Sequence, residues 1–215
     1  MENVMRRLPV YLLLDTSGSM KGEPIEAVKV GLASLISSLR QDPHALETVH
    51  LCLMTFDREV KKVVPLTSLD DFVLPEITVP EAGPTFTGLA LKEVCSAIER
   101  EVVKSTTDQK GDWRPLLFLM TDGGASDVQL FNEMIPRVQQ IGFGATVACA
   151  AGPKAKPDEL KKVCGHVVAL DTMDGHAFQA FFRWVSTAVS TGNVSMGAAP
   201  ELSLPPPPAE LDVVC

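Results

Sequence analysis

Short apolar runs alternate along this chain with longer segments of helical period, and no other feature of the sequence limits the fold so tightly. The runs at 9–15 (PVYLLLD), 49–57 (VHLCLMTFD), 115–124 (PLLFLMTDGG), 145–152 (ATVACAAG) and 166–172 (HVVALDT) have the length and hydrophobicity of strands covered on both faces. Between them, 23–42, 87–104, 127–141, 157–165 and 175–189 carry helical period. In the first of these Ile25, Val28, Leu32, Leu35, Ile36 and Leu39 form one stripe, and Pro24 stands near the start, where a missing N–H is harmless. The charged turn Asp57 to Glu59 leads into 60–66 (VKKVVPL), which predicts a hairpin. Residues 67–84 and 105–114 read as irregular. This order predicts an α/β fold: a doubly wound, mainly parallel central sheet with one antiparallel edge strand and helices on both faces.

Length and composition set the outer limits. A chain of 215 residues, 46% hydrophobic and 21% charged, can bury one substantial core, expected over residues 1–190. The net charge of -8 opposes broad attraction to nucleic acid or anionic lipid. No apolar run approaches the roughly 20 residues that span a bilayer, so a cytoplasmic protein is expected. Five cysteines, at 52, 95, 149, 164 and 215, lack C-x-x-C spacing and read as reduced thiols, mostly packed as small hydrophobes. Cys164 and His166 come close together, too few ligands to predict zinc. His44, His50 and His176 read as surface or boundary residues. From about 191 to 215 the composition turns to proline and small residues, which predicts a disordered tail; the four prolines at 205–208 favour an extended spacer or a docking peptide.

Two strands end abruptly in oxygen-bearing side chains. Asp15, Ser17 and Ser19 follow the first, and Asp122 follows the run that begins near 115. In an open α/β sheet the carboxyl ends of strands near a switch in strand order frame the ligand crevice. The loop GPTFTG (83–88) can bring the hydroxyls of Thr85 and Thr87 to the same place. Two carboxylates with several neutral hydroxyls suit a hard divalent cation such as Mg²⁺, which takes oxygen at about 2.0–2.1 Å and keeps positions open for another ligand. The competing interpretation gives the serines and threonines to helix capping and Asp122-Gly123 to a turn, with Lys21 and Arg58 neutralising the acids. Asp108, Asp112, Asp127 and Glu133 read as solvated rather than as ligands.

The pieces DTSGSM, GPTFTG and MTDGG resemble the metal-ion-dependent adhesion site of von Willebrand factor A (VWA) domains: D-x-S-x-S, then Thr, then Asp. The resemblance runs over roughly 7–190 and implies a Rossmann-like fold. It also implies that Asp15, Ser17, Ser19, Thr85 and Asp122 form a metal site, with the hydroxyls binding directly and the aspartates partly through water. Thr85 is preferred to Thr87 because the first threonine of T-x-T matches the family's ligand. The longer stretches RRLPVYLLLDTSGSM, GEPIEAV, LRQDPHALETV and KGDWRPLLFLMTDG resemble bacterial TerY-type tellurium-resistance proteins. That resemblance implies an adaptor in a stress-response system, with a protein kinase and a PP2C-type phosphatase encoded nearby as partners. Some of those relatives carry a cysteine-rich C-terminal domain, where this chain has its proline-rich tail.

An enzyme is the other function class, since two acids with Mg²⁺ can promote hydrolysis or phosphoryl transfer. A phosphatase with an aspartyl nucleophile would show a second acid two positions on, where this chain has Ser17. No G-x-x-x-x-G-K-[ST] loop, no G-x-S-x-G elbow and no histidine near either serine is present. The sequence therefore predicts a binding module rather than an enzyme: Mg²⁺ or Mn²⁺, with Ca²⁺ less favoured, accepts a Glu or Asp from a protein partner.

Overall fold

The computed structural model describes residues 6–108, 110–195, 204–208 and 211–213. The runs expected to be strands are strands: β1 (Leu8–Asp15), β2 (Val49–Phe56), β3 (Val60–Ser68), β4 (Leu116–Thr121), β5 (Ala145–Ala151) and β6 (His166–Leu170). A two-residue strand, β7 (Asp212–Val213), completes one sheet of order β3-β2-β1-β4-β5-β6-β7. β1, β2, β4, β5 and β6 pair in parallel, and β3 returns antiparallel on β2 as the expected hairpin. β7 adds a second antiparallel strand at the opposite edge, which the sequence did not foretell.

Because successive strand residues face opposite ways, each buried strand feeds two cores. Leu8, Val10, Leu12 and Leu14 face α1 (Glu23–Arg40) and α6 (Gly175–Ser195), while Tyr11 and Leu13 face α3 (Thr87–Glu101) and α4 (Val128–Ile141). On the first side α1 and α6 approach so closely at Gly31 that a Cβ there would overlap the Phe182 ring. On the other, α3 and α4 meet at Gly88, which lies against the backbone of Phe131. Burial of these apolar faces is the main stabilising term, at roughly 25 cal/mol per Å² of apolar surface removed from water.

Several elements differ from expectation, among them α6, which runs to Ser195, past the expected end at 189. The helix expected over 23–42 ends at Arg40, and a separate short helix, α2 (Pro43–Thr48), follows. Asp42 begins it by accepting from the amides of His44 (3.0 Å) and Ala45 (3.3 Å), and Pro43 cannot supply an N–H to continue α1. The helix expected over 157–165 is one turn, α5 (Pro157–Leu160). The segment expected as a disordered tail lies against the domain at two places. The buried indole of Trp184 donates to the carbonyl of Pro205 at 3.0 Å, Leu204 packs on the first core, and β7 pairs with β6. A buried indole N–H needs an acceptor, and an extended proline run has carbonyls to offer.

Cys52, Cys95, Cys149 and Cys164 are buried and free. Burial pushes the thiols of Cys52 and Cys164 up to about 12 and that of Cys95 up to about 11, so they pack as apolar groups. Cys215 lies outside the described residues. Among the described residues no helix is long and apolar enough to cross a membrane.

Candidate metal centre

The chain leaves β1 toward β2 on one side of the sheet, and β4 pairs on the other, so the carboxyl ends of β1 and β4 flank the point where strand order reverses. Asp15 is the last residue of β1, and Asp122 directly follows Thr121, the last of β4. Both aspartates are buried. The amide of Ser17 donates to Asp15 Oδ1 at 2.7 Å, and the Thr121 hydroxyl donates to Asp15 Oδ2 at 2.6 Å. Ser17 and Ser19 hydroxyls lie 3.2 Å apart, and the Ser19 hydroxyl donates to Asp122 Oδ1 at 2.9 Å. Four of the five residues singled out from the sequence are thus one hydrogen-bonded chain spanning two strand ends.

The fifth, Thr85, comes from the loop before α3. Ser126 grips it on both sides: the Thr85 amide donates to Ser126 Oγ at 3.1 Å, and the Ser126 amide donates to the Thr85 carbonyl at 2.8 Å. This turns the Thr85 hydroxyl toward Gly123, where a Cβ would stand 3.6 Å from it. The rival, Thr87, sits in the first turn of α3 with its amide on the Thr85 carbonyl at 3.0 Å. The loop is fixed again by Asp127, whose carboxylate accepts from the amides of Gly88 (3.0 Å) and Leu89 (2.8 Å) and so caps α3 from the start of α4.

Burial pushes the Asp15 carboxyl up to about 6, against the opposing hydrogen bonds from Thr121 and Ser17, and the nearby charge of Asp122 adds to the rise. Neither cation expected to neutralise the acids does so: Lys21 pairs with Glu81 at 3.1 Å, and Arg58 is exposed with no ion pair among the described residues. The oxygens left over suit a hard cation. Among the described residues, Asp122 Oδ2 and the buried Thr85 hydroxyl have no hydrogen-bond partner, although buried polar atoms are nearly always paired. No group of three or more His, Cys, Asp or Glu side chains is arranged for a metal among the described residues, and the Cys164/His166 pair gathers no further ligand. The donor set is oxygen, mostly neutral, which favours ions of the Mg²⁺ kind over soft metals.

Two acids expected to be solvated are engaged. Asp112 is bound by Arg7 through Nε (2.8 Å) and Nη2 (2.6 Å), and Asp127 caps α3 as described. Asp108 and Glu133 are exposed, as expected. The sequence reading also missed Thr121, Ser126 and Asp127 as the residues that hold the site. Thr121 carried a signal, being the one polar residue in the buried run LLFLMT, where a hydroxyl needs a partner.

A doubly wound sheet whose strand ends gather D-x-S-x-S, a threonine and an aspartate defines a class of Rossmann-like α/β domain. The profile of the von Willebrand factor type A domain matches residues 10–180, and the chain belongs to that family. Among solved structures it is similar to the von Willebrand factor type A protein from Catenulispora acidiphila, at 16% identity and TM-score 0.64, covering 86% of this chain and 43% of that one. It is also similar to proximal thread matrix protein 1 from the mussel byssus, at 18% identity and TM-score 0.59, covering 87% of this chain and 49% of that one. A further structure of the mussel protein, at 17% identity and TM-score 0.58, covers the same shares and has a zinc-occupied MIDAS motif. These likenesses concern the fold, and the chain spans about half or less of those structures' length. No curated protein matches.

Proposed function

We propose that the chain is a metal-dependent protein-interaction module in which Asp15, Ser17, Ser19, Thr85 and Asp122 hold a divalent cation. The single observation that carries this is the buried pair of unpartnered acceptors, Asp122 Oδ2 and the Thr85 hydroxyl, beside the Asp15–Ser17–Ser19 turn. Mg²⁺ or Mn²⁺ suits the oxygen donors, and Ca²⁺ is less favoured. The bound ion supplies a Lewis-acidic position that accepts a carboxylate oxygen from a partner's Glu or Asp. Thr121 and the Ser17 amide fix Asp15 in place, Ser126 and Asp127 fix Thr85, and the neutral hydroxyls add no charge to satisfy the ion. Both oxygens of Asp15 are engaged within the chain, which favours this reading over a phosphatase or hydrolase with Asp15 as nucleophile.

The TerY-type resemblance supports a cytoplasmic adaptor in a bacterial tellurium- or stress-resistance system, with a kinase and a PP2C-type phosphatase as partners. Residues 1–190 form the interaction domain in this proposal, and 191–215 an appended segment. The test is a thermal melt in EDTA and in Mg²⁺ for the wild type, Asp15→Ala and Asp122→Ala. It is followed by capture from native lysate under the same conditions. A ligand at a hundred times its Kd should stabilise the wild type by about 2.7 kcal/mol. The variants should stay folded, lose that gain and lose every metal-dependent captured protein. Equal melts in EDTA and Mg²⁺ for the wild type would overturn the proposal.

A further inference from the structure

Ala180, Arg183, Trp184 and Thr187 follow one another at helical spacing along α6 and so share one stripe of that helix. The chain's own proline segment runs along the stripe, with Pro205, Pro206 and Pro208 as the second wall of a groove. We propose that this stripe is a recognition site for an extended, proline-rich peptide bearing an acidic residue, supplied by a partner protein in place of the chain's own run.

The seated segment shows what the stripe reads. Polyproline II has three residues per turn, so residues three apart share a face. Pro205 and Pro208 are half-buried, Pro206 and Pro207 between them are exposed, and Leu211, three further on, is buried. Burial thus repeats with the polyproline II period. That conformation makes no internal hydrogen bonds, which leaves its carbonyls open to a donor. The Trp184 indole supplies one, to the Pro205 carbonyl at 3.0 Å. Aromatic grooves recognise proline-rich segments in this way, through ring shape and backbone rather than through the identity of the chain they belong to. The stripe is also braced before any peptide arrives. The Phe181 ring lies 6.3 Å from that of Trp184, centre to centre, and the Ser186 and Ser38 hydroxyls join α6 to α1 at 2.9 Å. A wall held this way loses little freedom when a ligand docks.

Two observations point past the chain's own run to an outside occupant. A space of about 200 Å³ remains between α6 and the prolines, room that a bulkier peptide fills. Arg183, on the groove wall, is exposed, and its guanidinium has no hydrogen bond or ion pair among the described residues. A free guanidinium beside an apolar slot selects a carboxylate on the ligand. The run itself is lightly held: the Trp184 bond is its one hydrogen bond to α6 among the described residues. A ligand that fills the space and pairs with Arg183 therefore makes contacts that the seated prolines do not.

The probe is a fluorescein-labelled, amide-capped peptide SLPPPPAEL, residues 203–211 of this chain, read by anisotropy against the full chain in EDTA, so that the outcome is independent of the metal centre. One control peptide has glycine for all its prolines, and another carries Glu210→Gln. The full chain is used as wild type and with Pro205→Gly, Pro206→Gly and Pro208→Gly together, which releases its own run. The released chain should bind the proline peptide one to one and at least tenfold more tightly than wild type, since a tethered run competes at an effective concentration on the order of millimolar. The glycine peptide should bind at least tenfold more weakly. In the released chain Trp184→Phe, which keeps a ring but not the donor, should weaken the proline peptide about fivefold. Arg183→Gln should weaken it at least threefold and leave the Glu210→Gln peptide unchanged. Circular dichroism checks the fold of each variant, and Pro208→Gly alone stands in if the triple variant does not fold. No binding to the released chain at about 1 mM peptide, equal binding of proline and glycine peptides, or an affinity unmoved by Trp184→Phe or by Arg183→Gln would overturn the proposal. Dimers formed by exchange of tails, with no peptide bound, would assign the groove to a second copy and overturn it as well.

Discussion

Asp127 offers the sharpest test of how the proposed metal centre is assembled, because it stands at the start of α4 yet makes no cap of its own helix. Its two oxygens instead receive the Gly88 and Leu89 amides, two donors at the head of α3 that have no partner within that helix. Replacing a capping residue by alanine costs about 0.5–2 kcal/mol, and hydrogen bonds to a charged group are worth about 1.5–3 kcal/mol each. Asp127 is half-buried and water can reach part of the vacancy, so Asp127→Ala should cost about 2–3 kcal/mol. In a chain of this size each kcal/mol lowers Tm by about 2–4 °C, which gives a fall of about 4–12 °C. Asp127→Asn distinguishes a cap from a mere filler of space. Its carbonyl can satisfy one amide, but its NH₂ then faces the other donor, so it should recover about half of the loss at best. Metal affinity should weaken in the same order, because the first turn of α3 carries the Thr85 loop. Differential scanning calorimetry in EDTA and in Mg²⁺ measures both effects. A Tm within about 1 °C of wild type for Asp127→Ala, or an Asn variant indistinguishable from wild type, would refute the reasoning.

Three further outcomes follow from particular contacts. Asp15 holds its proton up to about 6 in the folded chain against an ordinary 3.8, so between those values the folded state binds a proton that the unfolded state has lost. Stability of the metal-free chain should therefore fall by about 3 kcal/mol at most as pH rises from about 4 to 6, and Asp15→Asn should flatten that slope in urea titrations. Gly31→Ala should cost about 1–3 kcal/mol by forcing α1 from the Phe182 ring, and Phe182→Leu should suppress that cost in a double-mutant cycle; strict additivity would disprove the contact. Ending the chain at Ser195 removes the carbonyl bound to Trp184, so tryptophan emission should move to the red, and an unchanged spectrum would show that the indole does not depend on Pro205.

What the sequence revealed divides by distance along the chain. Strands covered on both faces advertise themselves as continuous apolar runs, and β1, β2, β4 and β5 lie within a few residues of where those runs fall. Asp15, Ser17, Ser19 and Asp122, proposed above to hold the cation, stood out because they close or follow such runs. The partners of Asp112 and Asp127 were not, since Arg7 lies 105 residues from Asp112 and Gly88 lies 39 from Asp127. An acid in a loop looks the same whether it meets water or a distant guanidinium. β7 left no pattern because two residues are too few for period two to register, and its pairing depends on the free edge of β6. The break between α1 and α2 was legible in principle, as Asp42-Pro43 is a helix-start signal.

The strand β7 contributes few contacts, and its consequence is for the behaviour of many molecules rather than one. The run HVVAL of β6 would otherwise end the sheet with a row of unpaired amides and carbonyls on a β-prone segment, a template for intermolecular strand addition. At the far edge β3 is guarded differently, by Lys61, Lys62 and Pro65, which add charge and remove a donor. Asp212 and Val213 cover part of that edge by pairing with Ala169 and Val168. A version shortened before Asp212 should bind its ligands as well as the intact chain yet form higher oligomers when concentrated.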